Sequence, residues 1–140
     1  MPNAQTWLMA QRARALARPK AINPLRESRS IRGSYHNSRL AAANDHEIRM
    51  SVMTSGFEWH RHPTSDEIFF VIEGELIIEL EDTEVRLHEG DLFTVPKGVI
   101  HRTRPGGPRS VNLTFEREGS GTVFVCDRCE GEDAHRPGSS

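Results

Sequence analysis

A chain of 140 residues fits one domain and leaves little room for a second. Its hydrophobic content of 36% against 27% charged residues supports a modest core in water, and its longest apolar run, Ile68–Ile72, is strand-sized and far short of a membrane span; no apolar stretch near the N-terminus reads as a secretory signal. The net charge of −2 conceals an asymmetry: residues 1–40 hold eight Arg or Lys against one acid, Glu27, whereas residues 41–140 hold ten against nineteen, and an acidic body repels the phosphates of nucleic acid.

Residues 3–18 are rich in helix formers, lack Gly, Pro and acids, and are closed by Pro19; the expectation is one short N-terminal helix. Residues 19–46 carry Pro19, Pro24 and Gly33 among many Ser, Asn and Arg residues and read as irregular. From Ile48 the texture changes. Ile48, Met50 and Val52 alternate with Arg49 and Ser51, the period-2 signature of a strand. Short β-rich runs follow at 67–73, 75–81, 84–87, 91–95, 99–103, 110–115 and 122–126, punctuated by Gly56, Gly74, Gly90, Pro96–Gly98, Pro105–Pro108 and Gly119–Gly121. Short, closely spaced strands predict an antiparallel sandwich or barrel. The predicted organisation is a basic segment over 1–45, a β-barrel over 46–126 and a polar tail over 127–140.

Four residues in the β region have the chemistry of metal ligands. His60 and His62 are two apart, so on a strand both imidazoles point to one face. Glu67 opens the next apolar strand, and His101 follows a Pro-Lys-Gly turn on a distant one. The full spacings are Gly56-x3-His60-x-His62-x4-Glu67-x6-Gly74 and Gly90-x5-Pro96-x-Gly98-x2-His101.

These two stretches resemble the two signature motifs of the cupin superfamily, separated by a short segment, Glu75–Glu89. The resemblance covers roughly residues 46–116 and departs from the usual pattern in the three-residue gap after Gly56 and at Pro105, where the second motif usually ends in Asn; neither is a ligand position. It implies an all-β, antiparallel jelly-roll barrel in which His60, His62, Glu67 and His101 hold one divalent metal ion. Among small single-domain cupins, the chain resembles the group often labelled mannose-6-phosphate isomerase-like.

Three imidazoles and one carboxylate suit Fe(II), the first choice, or Mn(II), Ni(II), Co(II) or Zn(II), and suit Ca(II) or Mg(II) poorly. Four protein ligands on an octahedral metal leave two open positions, the mark of a catalytic site. The expected function is therefore a metal-dependent enzyme acting on a small molecule, with O2-dependent dioxygenase chemistry first. The alternatives are a metal-dependent isomerase, epimerase or lyase, and a non-catalytic ligand-binding domain. Strand parity places Phe69, Val71, Val99 and Thr103 inward with the ligands and Glu58 at the rim, which predicts a largely apolar pocket with few acids or bases. The expected assembly is a homodimer in the cytoplasm, with no nucleic-acid or membrane partner. Cys126 and Cys129 read as free thiols, as a metal pair shared between subunits, or as a redox pair. The basic N-terminal segment reads as a helix packed on the barrel, or as a transit peptide.

Overall fold

The computed structural model describes residues 3–6, 8, 20–125 and 133–134. Of the expected N-terminal helix, residues 4–6 and 8 are helical, and Asn3 caps them by accepting from the Thr6 N–H at 2.8 Å; the remainder lies outside the described residues, as do Cys126 and Cys129. A one-turn helix, α1 (Pro24–Ser28), follows, with Pro24 at its start and the Asn23 side chain accepting from the Arg26 N–H at 3.0 Å.

All the strands pair antiparallel in two sheets. The first sheet takes β1 (Tyr35–Ala43), β2 (His46–Met53), β9 (Ser110–Arg117), β4 (Glu67–Glu73) and β7 (Leu92–Val95), side by side in that order. The second takes β11 (Asp133–Ala134), β10 (Val123–Val125), β3 (His60–Arg61), β8 (His101–Pro105), β5 (Leu76–Leu80) and β6 (Glu84–Leu87). This is the two-sheet antiparallel topology of a jelly roll. The expected closure into a barrel is not what the ladders show: each sheet is open. The chain changes sheet at turns bearing Gly56, Gly74, Gly90, Gly98, Gly106–Gly107 and Gly119–Gly121, so the hydrogen-bonded ladders stop there.

Gly74 shows how tight these corners are. Its φ is +75°, and a Cβ on it would collide with the carbonyl oxygen of Arg109. Gly98, at φ +79°, closes the turn before His101, and its N–H donates to the His62 carbonyl at 2.8 Å. That bond ties the two motif segments together.

The stretch expected to be irregular, 19–46, contains both α1 and the nine-residue strand β1. Its sequence, YHNSRLAAA, has low β propensity, and the strand forms because eight of its residues pair with β2, with a bulge between Arg39 and Ala41.

Two apolar clusters hold the sheets. Met53, Phe69, Val71, Leu76, Ile78, Leu87 and Val95 form the core between them. Met50, Val52 and Val111 form a second cluster, packed against Ile31, Leu40, Ile72 and Leu113. Arg109 pins α1 beside it, bonding Glu73 at 2.5 Å and the Ser28 carbonyl at 2.6 Å. The apolar alternation Met50–Val52 thus faces away from the space between the sheets, beneath the N-terminal segment, while Arg49, Ser51 and Met53 face in. No helix among the described residues is long and apolar enough to cross a membrane.

Candidate metal centre

His60 and His101 are cross-strand partners in the β3–β8 pair, their ring centroids 4.3 Å apart. His62 lies just past β3, on the same face as His60, and Glu67 is the first residue of β4. All four side chains are buried, His101 completely, and each offers a donor atom within 4.8 Å of the other three. The residues singled out in the sequence are therefore brought to one point by three strands of two sheets.

The ring orientations are set by backbone carbonyls. Nδ1 of His60 lies 2.7 Å from the Glu58 carbonyl, Nδ1 of His62 2.8 Å from that of Gly121, and Nδ1 of His101 2.9 Å from that of Val99. A carbonyl only accepts, so each Nδ1 carries the proton and each neutral ring presents an Nε2 lone pair. Oε1 of Glu67 stands 3.3 Å from Nε2 of both His62 and His101. Nε2 of His62 is buried and makes no aligned hydrogen bond. Lone pairs and a carboxylate facing one another without a donor require a cation or a proton between them. The donor set fits one divalent transition-metal ion, with the tautomer fixed by the outer carbonyls as metal-binding imidazoles need.

Without metal, the proton takes that role. Burial opposes charge on His62, but the Glu67 carboxylate outweighs it and lifts the imidazole to about 9. Burial likewise opposes ionisation of Glu67, yet the His101 and His62 imidazoles facing its oxygen hold it at about 2. His60 is driven down to about 4 by burial and by the neighbouring His101.

The cluster opens into a cavity of about 650 Å³. Phe69 and Thr103 line it, as strand parity requires, and Val71 is buried in the adjoining core. Glu58 is exposed and does not line it. The expectation of a largely apolar pocket is corrected: Glu47, Arg49 and Ser51 of β2, Asn112, Thr114 and Glu116 of β9 and Asn37 of β1 all line the cavity. These polar residues were missed because the parity reading was taken only from the ligand strands and left the inward face of β2 unassigned; N-terminal residues cover its apolar face. The available signal was the matching period-2 polar row Asn112-x-Thr114-x-Glu116. Tyr35 and Phe57, stacked at 4.9 Å, form an aromatic wall, with Phe124 5.8 Å from Phe57. A buried, preformed cluster opening into a cavity of this size supports a metal-dependent catalytic role on a small molecule.

Comparison with known proteins agrees with this architecture. Residues 47–115 match the cupin domain. The uncharacterized protein YdbB of Bacillus subtilis (strain 168) is 39% identical over 107 residues, which cover 76% of this chain and 94% of that one. An acireductone dioxygenase of Bacillus velezensis is 27% identical over 77 residues, covering 51% of this chain and 43% of that enzyme. The crystal structure of a cupin-2 domain containing protein from Shewanella frigidimarina superposes with a TM-score of 0.65 at 27% identity, covering 69% of this chain and 94% of that one.

Proposed function

The chain belongs to the cupin superfamily, and from that premise we propose that it is an O2-dependent oxidoreductase that holds one Fe(II) ion through His60, His62, Glu67 and His101. The observation that carries this proposal is the convergence of four buried donors whose three imidazoles are all turned by backbone carbonyls to present Nε2. The sequence similarity to an acireductone dioxygenase supports the reaction class.

When bound, the metal supplies Lewis acidity and the electrons for O2 activation. The chain's own residues do the rest. The Glu58, Gly121 and Val99 carbonyls keep the three Nδ1 protons in place and the rings aimed. Phe57 and Phe69 pack against His60 and His101, with ring centroids 4.9 Å and 6.0 Å apart, and keep water from that side of the cluster. The polar face of β2 and β9 orients substrate across the cavity from Phe69.

The working unit is the predicted 46–126 domain, with β1 supplying the edge strand that completes one cavity wall. We place the protein in the cytoplasm as a homodimer. Supporting the dimer, Ile48, Phe115 and Ile68 lie in register across three strands on the face of the first sheet turned away from the cavity, and Leu92 of the same sheet is 59% exposed.

Elemental analysis of the purified protein, followed by O2-uptake assays with catechols, thiols and diketones, tests this function. The expected result is one equivalent of metal and O2 consumption that disappears in His101→Ala. Turnover of a substrate without O2 uptake would replace it with an isomerase or lyase.

A further inference from the structure

Among the described residues lining the cavity, Arg49 is the only Arg or Lys. Its Nε donates to Oδ1 of Asn37 at 2.5 Å, and its Nη1 stands 3.4 Å from Oε1 of Glu47. These two neighbours set the plane of the guanidinium, and no hydrogen bond among the described residues uses Nη2. Glu47 is a distant partner that offsets the charge only in part: its Oε1 lies 3.4 Å from Arg49 Nη1, and its other oxygen lies 3.6 Å from Nε of Arg39, which itself pairs with Glu118 at 2.7 Å. A guanidinium held at a cavity wall by an amide and a carboxylate, with Nη2 left without a hydrogen bond among the described residues, is a candidate anion site, and the matching partner is a carboxylate.

The strand register places this site relative to the cluster. Arg49 pairs with Thr114, Thr114 pairs with Phe69, and Phe69 follows Glu67 by two residues on the same face. The two backbones are thus separated by two strand spacings sideways, about 10 Å, and one two-residue step along the strands, about 7 Å. Both side chains reach into the gap, so a ligand of about one ring spans the remainder. The adjoining wall is flat and aromatic: Tyr35, 37% exposed, lies nearly parallel to Phe57, with an interplanar angle of 20°.

We propose that Arg49 determines specificity by binding the carboxylate of a small planar acid, which the Tyr35–Phe57 wall lies against while its other oxygens face the His60–His62–Glu67–His101 cluster. This rests on the proposed metal centre and adds the substrate class.

The test uses the full-length protein loaded with Co(II), whose visible absorption reports ligands entering the metal's coordination sphere. Three probes are titrated: 3,4-dihydroxybenzoate, its methyl ester and catechol. Wild type is expected to bind the acid about tenfold more tightly than the ester. Arg49→Gln should bring that ratio to about one, and Arg49→Lys, which keeps the charge but loses the fork, should retain part of it. Tyr35→Leu should weaken all three probes alike. Thermal melts of each variant confirm folding, and Arg49→Lys carries the test should Arg49→Gln fail to fold. If catechol changes the spectrum but acid and ester bind equally to wild type, or the ratio survives Arg49→Gln, the assignment of Arg49 is overturned while the metal centre stands. If the protein takes up no Co(II), the metal-centre reading fails and this proposal falls with it, whereas Co(II) uptake with bands that no probe alters overturns this proposal alone. If Tyr35→Leu leaves all three affinities unchanged, the planar half of the proposal is wrong.

Discussion

Oε1 of Glu67 stands 3.3 Å from Nε2 of His101, while the far nitrogen of that ring, Nδ1, is engaged by the Val99 carbonyl at 2.9 Å. The imidazole is thus held from behind and offered forward, and the same arrangement recurs at His60 and His62. Removing the ring removes a donor that nothing nearby replaces. Loss of outer partners of metal ligands costs about 10–100-fold in affinity, so His101→Ala is expected to lower metal affinity by more than about 100-fold. Metal analysis after dialysis against a graded chelator series measures it. Cys126→Ala, at a position outside the described residues, should retain the wild-type metal content.

Metal loading should expel a proton. At pH 7 the metal-free His62, lifted to about 9, is protonated, whereas Glu67, held at about 2, is already ionised. Binding therefore displaces about one proton, and affinity rises with pH until His62 titrates. Calorimetry in buffers of different ionisation enthalpy at pH 7 should return that stoichiometry.

His62, Glu67 and His60 together set how the metal-free protein responds to pH. The raised His62 contributes stability that is fully present below its ordinary 6.5 and is lost as pH rises through about 9. The depressed Glu67 contributes stability present above its ordinary 4.5 and lost as pH falls through about 2. The depressed His60, at about 4 against its ordinary 6.5, adds a loss that grows as pH falls from about 6.5 to about 4. Melting temperature measured in chelator should therefore be highest near pH 6.5 and fall on both sides. Saturating metal should flatten the alkaline fall, because the metal takes the place of the proton.

Gly74→Ala should destabilise the fold by at least about 2 kcal/mol, since it imposes a left-handed φ on a residue with a Cβ and drives that Cβ into the Arg109 carbonyl. Urea unfolding followed by circular dichroism gives the value. Gly90→Ala, at a positive φ with open space around it, should cost less, because only the backbone strain remains.

Arg109→Ala should loosen the N-terminal segment without emptying the metal centre. The side chain bonds Glu73 and the Ser28 carbonyl, and Ser28 is fully buried. Losing a charged donor to a buried carbonyl costs about 1–3 kcal/mol. Limited proteolysis should show faster cleavage between residues 24 and 33, with metal content unchanged.

The positions of the glycines and the spacing of His60, His62, Glu67 and His101 were legible because each follows from local rules. Alternate residues of a strand share a face, left-handed corners take glycine, and three imidazoles with a carboxylate have few uses other than holding a metal. The run of short β segments after Ile48 was legible for the same reason. What only the tertiary structure decided was which face of β2 is inside. Met50–Val52 and Arg49–Ser51 alternate equally well in either direction, and a pattern of period two carries no sign. The sign came from chain far away in sequence: Ile31 and Leu40 pack on the apolar face, and β1, a strand of low propensity, forms only by pairing with β2. Once that face is covered, Arg49, Asn112 and Glu116 line the cavity beside the metal cluster, because the long-range pairing of β1, β2 and β9, rather than any local preference, sets what the interior contains.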